Sequence, residues 1–245
     1  MPVGTLGVDS LSPVKASSVA LAKTLLKQKP MFWGRYITFR GDADPGQYQR
    51  STEKQLFADN GIRLIPYARQ TPHVGEGAAR GTSDGVRNAE AFVGALGADL
   101  LKAQGGKFYI FLDVEPETPM SKEYYAGWSA ALVTRGKALS GNAVELLPCV
   151  YLNTRDKPTL NALNAAVAAG SRCEGVTVAR YFAPEKHNYP GPFDWDDDFT
   201  KPLVALTTPI IAWQYIGNFQ NLLDAAQSNP AVDQNAFVAR LAQPM

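Results

Sequence analysis

Phe108-Tyr109-Ile110-Phe111-Leu112-Asp113-Val114-Glu115 is an apolar, aromatic run that ends in two carboxylates, and its reading decides the fold. Aromatic and β-branched residues in an unbroken apolar stretch of this length form a buried strand. Side chains alternate along a strand, so Asp113 and Glu115 point to the same side, with backbones roughly 6.6 Å apart. One anion raises the pKa of its neighbour, which allows one acid to hold a proton while the other is charged. The competing reading is a pair of strand-end acids neutralised by nearby arginines.

Outward from this strand the chain alternates short apolar runs with longer amphipathic ones. Extended segments are expected at 5–10, 31–38, 63–70, 107–115, 145–153, 175–182 and 209–216, and helices at 13–28, 51–60, 82–103, 121–139 and 158–169. A last short strand is expected just before Asp233, with a closing helix after it. Strands separated by helices pair in parallel, and about eight such units in 245 residues match a single-domain α/β protein, a (β/α)8 TIM-type barrel. An open doubly wound sheet is the alternative.

A barrel of this kind gathers its chemistry at the C-terminal ends of the strands. The strand ends carry Asp9, then Arg35 and Tyr36, Tyr67 and Arg69, Asp113 and Glu115, Tyr151 and Asn153, Arg180 and Tyr181, and finally Trp213, Gln214 and Tyr215. An acidic centre ringed by aromatics suits a carbohydrate cleft, because sugar rings stack on aromatic faces while carboxylates act on the glycosidic bond.

In order and spacing, Gly7-Val8-Asp9-Ser10, Phe111-Leu112-Asp113-Val114-Glu115, Val150-Tyr151-Leu152-Asn153, Ala179-Arg180-Tyr181, Ala212-Trp213-Gln214-Tyr215 and Val232-Asp233-Gln234-Asn235 resemble the family 25 glycoside hydrolases, lysozymes that cleave peptidoglycan. Gly34-Arg35-Tyr36-Ile37-Thr38 and Asn60-Gly61-Ile62-Arg63-Leu64-Ile65-Pro66-Tyr67 resemble a related glycoside-hydrolase-like domain of unknown function. The resemblance implies Glu115 as proton donor, Asp113 as support for a substrate N-acetyl group, and Asp9 and Asp233 as the rest of an acidic floor. It further implies Tyr151 on the acetamido group and Trp213 with Tyr215 as a stacking wall. Arg180 would pair with an acid or a muramyl lactate carboxylate, and Tyr181, Tyr67 and Arg35 would complete the substrate contacts. The alternative is a catalytically inactive barrel that binds glycans or serves as an interaction module. Where the family has a Tyr-His-Phe-like segment, this chain reads Tyr67-Ala68-Arg69, and residues 183–202 form an unusual insertion, read either as a lid or as a surface loop anchored by aromatics.

Composition narrows the partners. A net charge of +1 without a Lys/Arg run argues against nucleic acid. No run of eighteen apolar residues offers a membrane span. Residues 1–10 read directly into the first strand without a classical leader, so action on a cell wall implies phage lysis, specialised secretion or a missing leader, and otherwise a cytoplasmic protein. Cys149 and Cys173 are too few for a disulfide framework, and His73 and His187 stand in no metal-ligand pattern. The acids at 194 and 196–198 lack the spacing of a calcium loop. Gly75-Glu76-Gly77 lacks the strand and acidic partner of a dinucleotide site, and is read as a βα loop. No cofactor is expected, and the chain is expected to work as a monomer on a carbohydrate polymer.

Overall fold

The computed structural model describes residues 3–37, 46–69, 71–182 and 191–244. The strands are β1 (Leu6–Asp9), β2 (Phe32–Tyr36), β3 (Arg63–Arg69), β4 (Lys107–Asp113), β5 (Glu145–Asn153), β6 (Gly175–Ala179), β7 (Ile210–Phe219) and β8 (Leu223–Ser228). They close into a barrel in sequence order. The helices are α1 (Ala16–Leu26), α2 (Arg50–Asn60), α3 (Ala78–Leu96), α4 (Ala98–Ala103), α5 (Lys122–Leu139), α6 (Lys157–Ala168), α7 (Asp197–Thr200) and α8 (Gln234–Ala239). Neighbouring strands from β1 to β7 pair in parallel. No helix of the described residues is long and apolar enough to cross a membrane.

Period-two alternation sorts the strand residues into two cores. Inward residues such as Phe32, Ile65, Tyr67, Tyr109, Phe111, Leu147, Cys149 and Tyr151 fill the barrel. Outward ones such as Val8, Trp33, Leu64, Ile110, Leu112 and Val150 pack under the helices. Both layers are almost fully buried, which is why the parallel strands read as continuous apolar runs. After β8, Phe237 of α8 enters the N-terminal end of the barrel, with its ring 5.9 Å from Phe32 and 6.2 Å from Tyr109. The backbone behind it is tied in where Leu64 N donates to Ala242 O at 2.7 Å and Tyr109 N to Arg240 O at 3.1 Å.

Two expectations need correction. The helix expected at 82–103 is two helices, because Gly97 takes a φ of 90° that an L side chain rarely adopts, and the chain turns there between α3 and α4. The second correction is larger: β8 runs antiparallel to both β7 and β1. A three-residue connection, 220–222, replaces the expected crossover helix, and Asn218, Gln220 and Asn221 supply the positive φ values that the turn needs.

Without that helix, the outer faces of β7 and β8 need another cover. The insertion supplies it. Phe193 packs 4.6 Å from Phe182 and 5.7 Å from Tyr215, and Trp195 meets Trp213 edge-on at 5.8 Å. Gln227 Nε2 of β8 donates to Phe193 O at 2.9 Å. Residues 191–202 are therefore an anchored outer wall rather than a lid, while 183–190 lie outside the described residues. The acidic run in this wall has local work to do: Asp196 accepts from Phe199 N to cap α7, and Asp197 accepts from Trp195 Nε1.

Candidate active site

Four carboxylates, Asp9, Asp113, Glu115 and Asp224, line one pocket at the C-terminal end of the parallel strands. Four tyrosines, Tyr36, Tyr67, Tyr151 and Tyr181, form its walls together with Gln214. Parity along the strands explains the gathering. Asp9, Asp113 and Gln214 sit at inward positions, and Val114 N still donates to Tyr151 O at 3.0 Å, so the extended backbone continues far enough to turn Glu115 inward as well. Gly34 makes the floor possible: a Cβ there would lie 2.5 Å from Asp9 Cβ and 2.5 Å from the Tyr67 ring.

Gln214 organises the acids. Its amide Nε2 donates to Asp9 Oδ2 at 3.0 Å and to Asp224 Oδ2 at 2.9 Å, while its Oε1 accepts from Tyr181 Oη at 3.4 Å. Asn218 N in the β7–β8 turn donates to the other oxygen of Asp224. Tyr151 and Tyr181 share a hydroxyl contact of 3.1 Å. Across the pocket Tyr67 packs edge-on to Tyr36 and to Tyr151, with ring centroids 6.5 and 5.5 Å away.

Burial dominates the electrostatics. Asp113 is 3% exposed, and the loss of water, followed by the charge of Glu115, pushes its pKa up to about 8. The neighbouring anion anticipated from the Asp-x-Glu spacing is thus the second cause, not the first. Asp9 is raised well above the carboxylate range by burial, then by the charge of and a hydrogen bond with Asp224, and by Asp113. Glu115, only half-buried, is raised by desolvation and by Glu117, against the pull of Arg69. The four tyrosines are all raised above 10, first by burial, so they remain O–H groups at neutral pH. Asp113 Oδ2 is buried without a hydrogen-bond partner, and it is the atom a substrate's polar group would satisfy.

A protonated buried acid has a stability cost that depends on pH. The folded pKa of Asp113 lies above its unfolded value of 3.8, so its contribution is fully present below about pH 4 and is lost as pH rises to about 8. Asp113→Asn removes that loss. The variant's stability advantage over wild type is expected to widen with pH by at most about 1.4 kcal/mol per unit between pH 4 and 8, then level off. Denaturant melts of both proteins across this range check it, and a constant gap would show that Asp113 titrates normally.

Five of the residues singled out from sequence lie elsewhere. Asp233 follows the antiparallel β8 and so sits at the opposite end of the barrel, where its Oδ1 caps α8 by accepting from Asn235 N at 2.9 Å and Ala236 N at 3.0 Å. Asp224, which the sequence reading missed, takes the place expected for it in the acidic floor. Asp233→Ala is expected to cost about 0.5–2 kcal/mol in thermal unfolding, with Asp233→Asn recovering most of it, because Asn caps as well as Asp. Trp213 and Tyr215 flank the inward Gln214 and therefore point outward. Both are fully buried, with Trp213 Nε1 donating to Arg180 O, so neither offers a face to a sugar. Arg180 lies in the same outer layer, over the Phe199 ring at 4.2 Å and donating to Phe199 O at 2.6 Å. Arg35 is also outward, in a buried ion pair with Glu53 at 3.0 Å. The Tyr181, Tyr151 and Tyr67 side chains do reach the pocket, joined by Tyr36 and Gln214. Alternation put Gln214 on the face opposite Trp213 and Tyr215, but the strand's phase, which decides the inward face, was open in the sequence.

No protein-family model matches the chain, and no curated protein matches it. Solved structures resemble it in fold. A B. stearothermophilus protein described as uncharacterized superposes with a TM-score of 0.66 at 18% identity, covering 97% of this chain and 100% of its own. The Clostridium perfringens spore cortex lytic enzyme SleM gives 0.53 at 14% identity, over 95% of this chain and 69% of its own. A family 25 glycosyl hydrolase from Bacillus anthracis gives 0.52 at 14% identity, over 96% and 93%. At these identities the likeness is one of fold alone.

Proposed function

We propose that the protein is a glycoside hydrolase that cleaves a polymer of N-acetylated sugars, peptidoglycan foremost, with Glu115 as general acid. The observation that carries this reading is the convergence of Asp9, Asp113, Glu115 and Asp224 in one tyrosine-walled pocket. A module that only binds neutral sugar has no use for so many desolvated acids, since each costs free energy to bury. The fold of SleM and of the Bacillus anthracis hydrolase supports the same direction.

Glu115, half-buried and with its pKa raised by desolvation, protonates the leaving glycosidic oxygen. The substrate's own acetamido oxygen attacks the anomeric carbon, so no protein nucleophile is needed. Asp113 lies beneath, neutral in the free protein, and its unpartnered Oδ2 accepts a hydrogen bond from the acetamido N–H that strengthens as positive charge develops on that group. That is stabilisation aimed at the transition state rather than at bound substrate. Asp9 and Asp224, locked by Gln214, hold the floor in place, and the Tyr151 and Tyr181 hydroxyls, in contact with each other at the wall, hydrogen-bond the acetamido group. Tyr181, 40% exposed, offers the stacking face that Trp213 does not.

Incubation of the purified protein with peptidoglycan sacculi, followed by mass spectrometry of the soluble fraction, tests the reading. Fragments with new reducing N-acetylated sugar ends are expected. Sacculus binding without release would replace the hydrolase by the glycan-binding barrel.

A further inference from the structure

Arg69 lies beside this site, lowers the pKa of Glu115 and Asp113 by its charge, and takes no part in the proton transfer proposed above. It ends β3, paired in register with Asp113 across the β3–β4 ladder, and its side chain reaches over the pocket wall with the guanidinium 5.0 Å from the centre of the Tyr36 ring. It is exposed. Among the described residues no carboxylate lies within ion-pair distance of it and no protein acceptor takes a hydrogen bond from it, although four acids line the adjacent pocket. The other arginines near the strand ends are spent: Arg35 is buried against Glu53, and Arg180 on Phe199. Contact with the Tyr36 ring holds the guanidinium beside the pocket, and since the residue is exposed its N–H donors are available to grip a carboxylate with two parallel hydrogen bonds.

A pocket with four carboxylates repels an anionic ligand. A cation at the rim offsets that repulsion for a ligand whose own carboxylate falls beside it, and does nothing comparable for a neutral sugar. We infer that Arg69 is a specificity-determining residue that binds a carboxylate carried by the glycan, selecting an acidic N-acetylated polymer over a neutral one. This rests on the glycan-hydrolase reading above and names the chemical class of its substrate. The carboxylate sits on the sugar unit that enters on the β3 side, next to Tyr36.

The test uses one glycan in two forms: peptide-free peptidoglycan strands, native and with their carboxylates reduced to alcohols. Wild-type kcat/KM is expected to favour the native form by about tenfold, the worth of charge-assisted hydrogen bonds at a partly exposed site. Arg69→Gln collapses that ratio toward one, and Arg69→Lys, which keeps the charge but not the fork, retains part of it. Equal losses on both forms in Arg69→Gln, with a shifted pH profile, would mean that Arg69 only tunes the acids, and would overturn the inference. A wild type indifferent to reduction would overturn it too, with the hydrolase reading intact. Failure of the wild type to cleave or bind either form would defeat the hydrolase reading itself, and this inference with it.

Discussion

Glu115→Gln is expected to lower the release of glycan fragments from sacculi by about 10²–10⁴-fold, the usual contribution of a general acid, while binding of the sacculus is retained. The amide keeps the shape and can still hydrogen-bond, but it has no proton to give the leaving oxygen. The choice of Glu115 over Asp113 follows from access. Asp113 is 3% exposed, whereas Glu115 lies beyond the strand end and is only half-buried. The alkaline limb of activity should track Glu115: burial and Glu117 raise its pKa while Arg69 lowers it, so turnover is lost as pH rises through a value above the ordinary glutamate range. Full activity in Glu115→Gln, with loss confined to Asp113→Asn, would transfer the acid's role to Asp113.

Glu53→Ala is expected to destabilise the fold by about 3–5 kcal/mol, because it strands the Arg35 guanidinium without its counter-charge in the protein interior. For a chain of this size that corresponds to a fall in Tm of roughly 10 °C. Both side chains of the pair are 0% exposed. The arginine also donates to Ser10 O at 2.5 Å, Leu11 O at 3.1 Å and Gln47 O at 2.9 Å, and the glutamate accepts from Val14 N and Gln49 N at 2.6 Å each. The pair thus fastens the loop after Asp9 to α2, and turnover should fall together with stability. Replacing both partners by apolar residues, Arg35→Met with Glu53→Leu, should recover only part of the loss: neither charge is then buried, but Ser10 O, Leu11 O, Gln47 O, Val14 N and Gln49 N lose their partners. Thermal unfolding of the single and double variants checks the pair. A single-variant cost below about 1 kcal/mol would mean that water reaches Arg35 when its partner is gone.

Much of this was legible in the chain. Strands that alternate with amphipathic helices bury both faces as a parallel sheet under a layer of helices, so the α/β architecture followed from periodicity and the count of units favoured a barrel, while closure itself is a property of the fold. Local alternation then placed Asp113 and Glu115 on one side, and the strand-end rule brought in Asp9, Tyr67, Tyr151 and Tyr181. Each of these inferences depends on the backbone within a few residues of the side chain concerned.

The last strand was different, because strand direction is a relation between distant segments. Chain order alone put β8 in parallel and Asp233 at the acidic end. The turn at 218–222, with positive φ at Asn218, Gln220 and Asn221, sends β8 back down the barrel instead. That reversal lifts Asp224 to the pocket, opposite Asp9 in the β1–β8 register, and carries Asp233 to the far end, where a helix N-terminus takes its charge. Parity in β7 had the same character. A one-residue change of phase exchanges the faces of a strand, and Trp213-Gln214-Tyr215 read equally well with either face inward. Packing decided it: the two large rings fill the outer layer against Phe182, Phe193 and Trp195, while the amide that can donate to two carboxylates faces the acids. The sequence by itself determined most of the acids and tyrosines that could line one pocket, and the tertiary structure removed Asp233, added Asp224 and decided which of the rest meet, because only closure of the barrel brings β1, β4, β7 and β8 to one end.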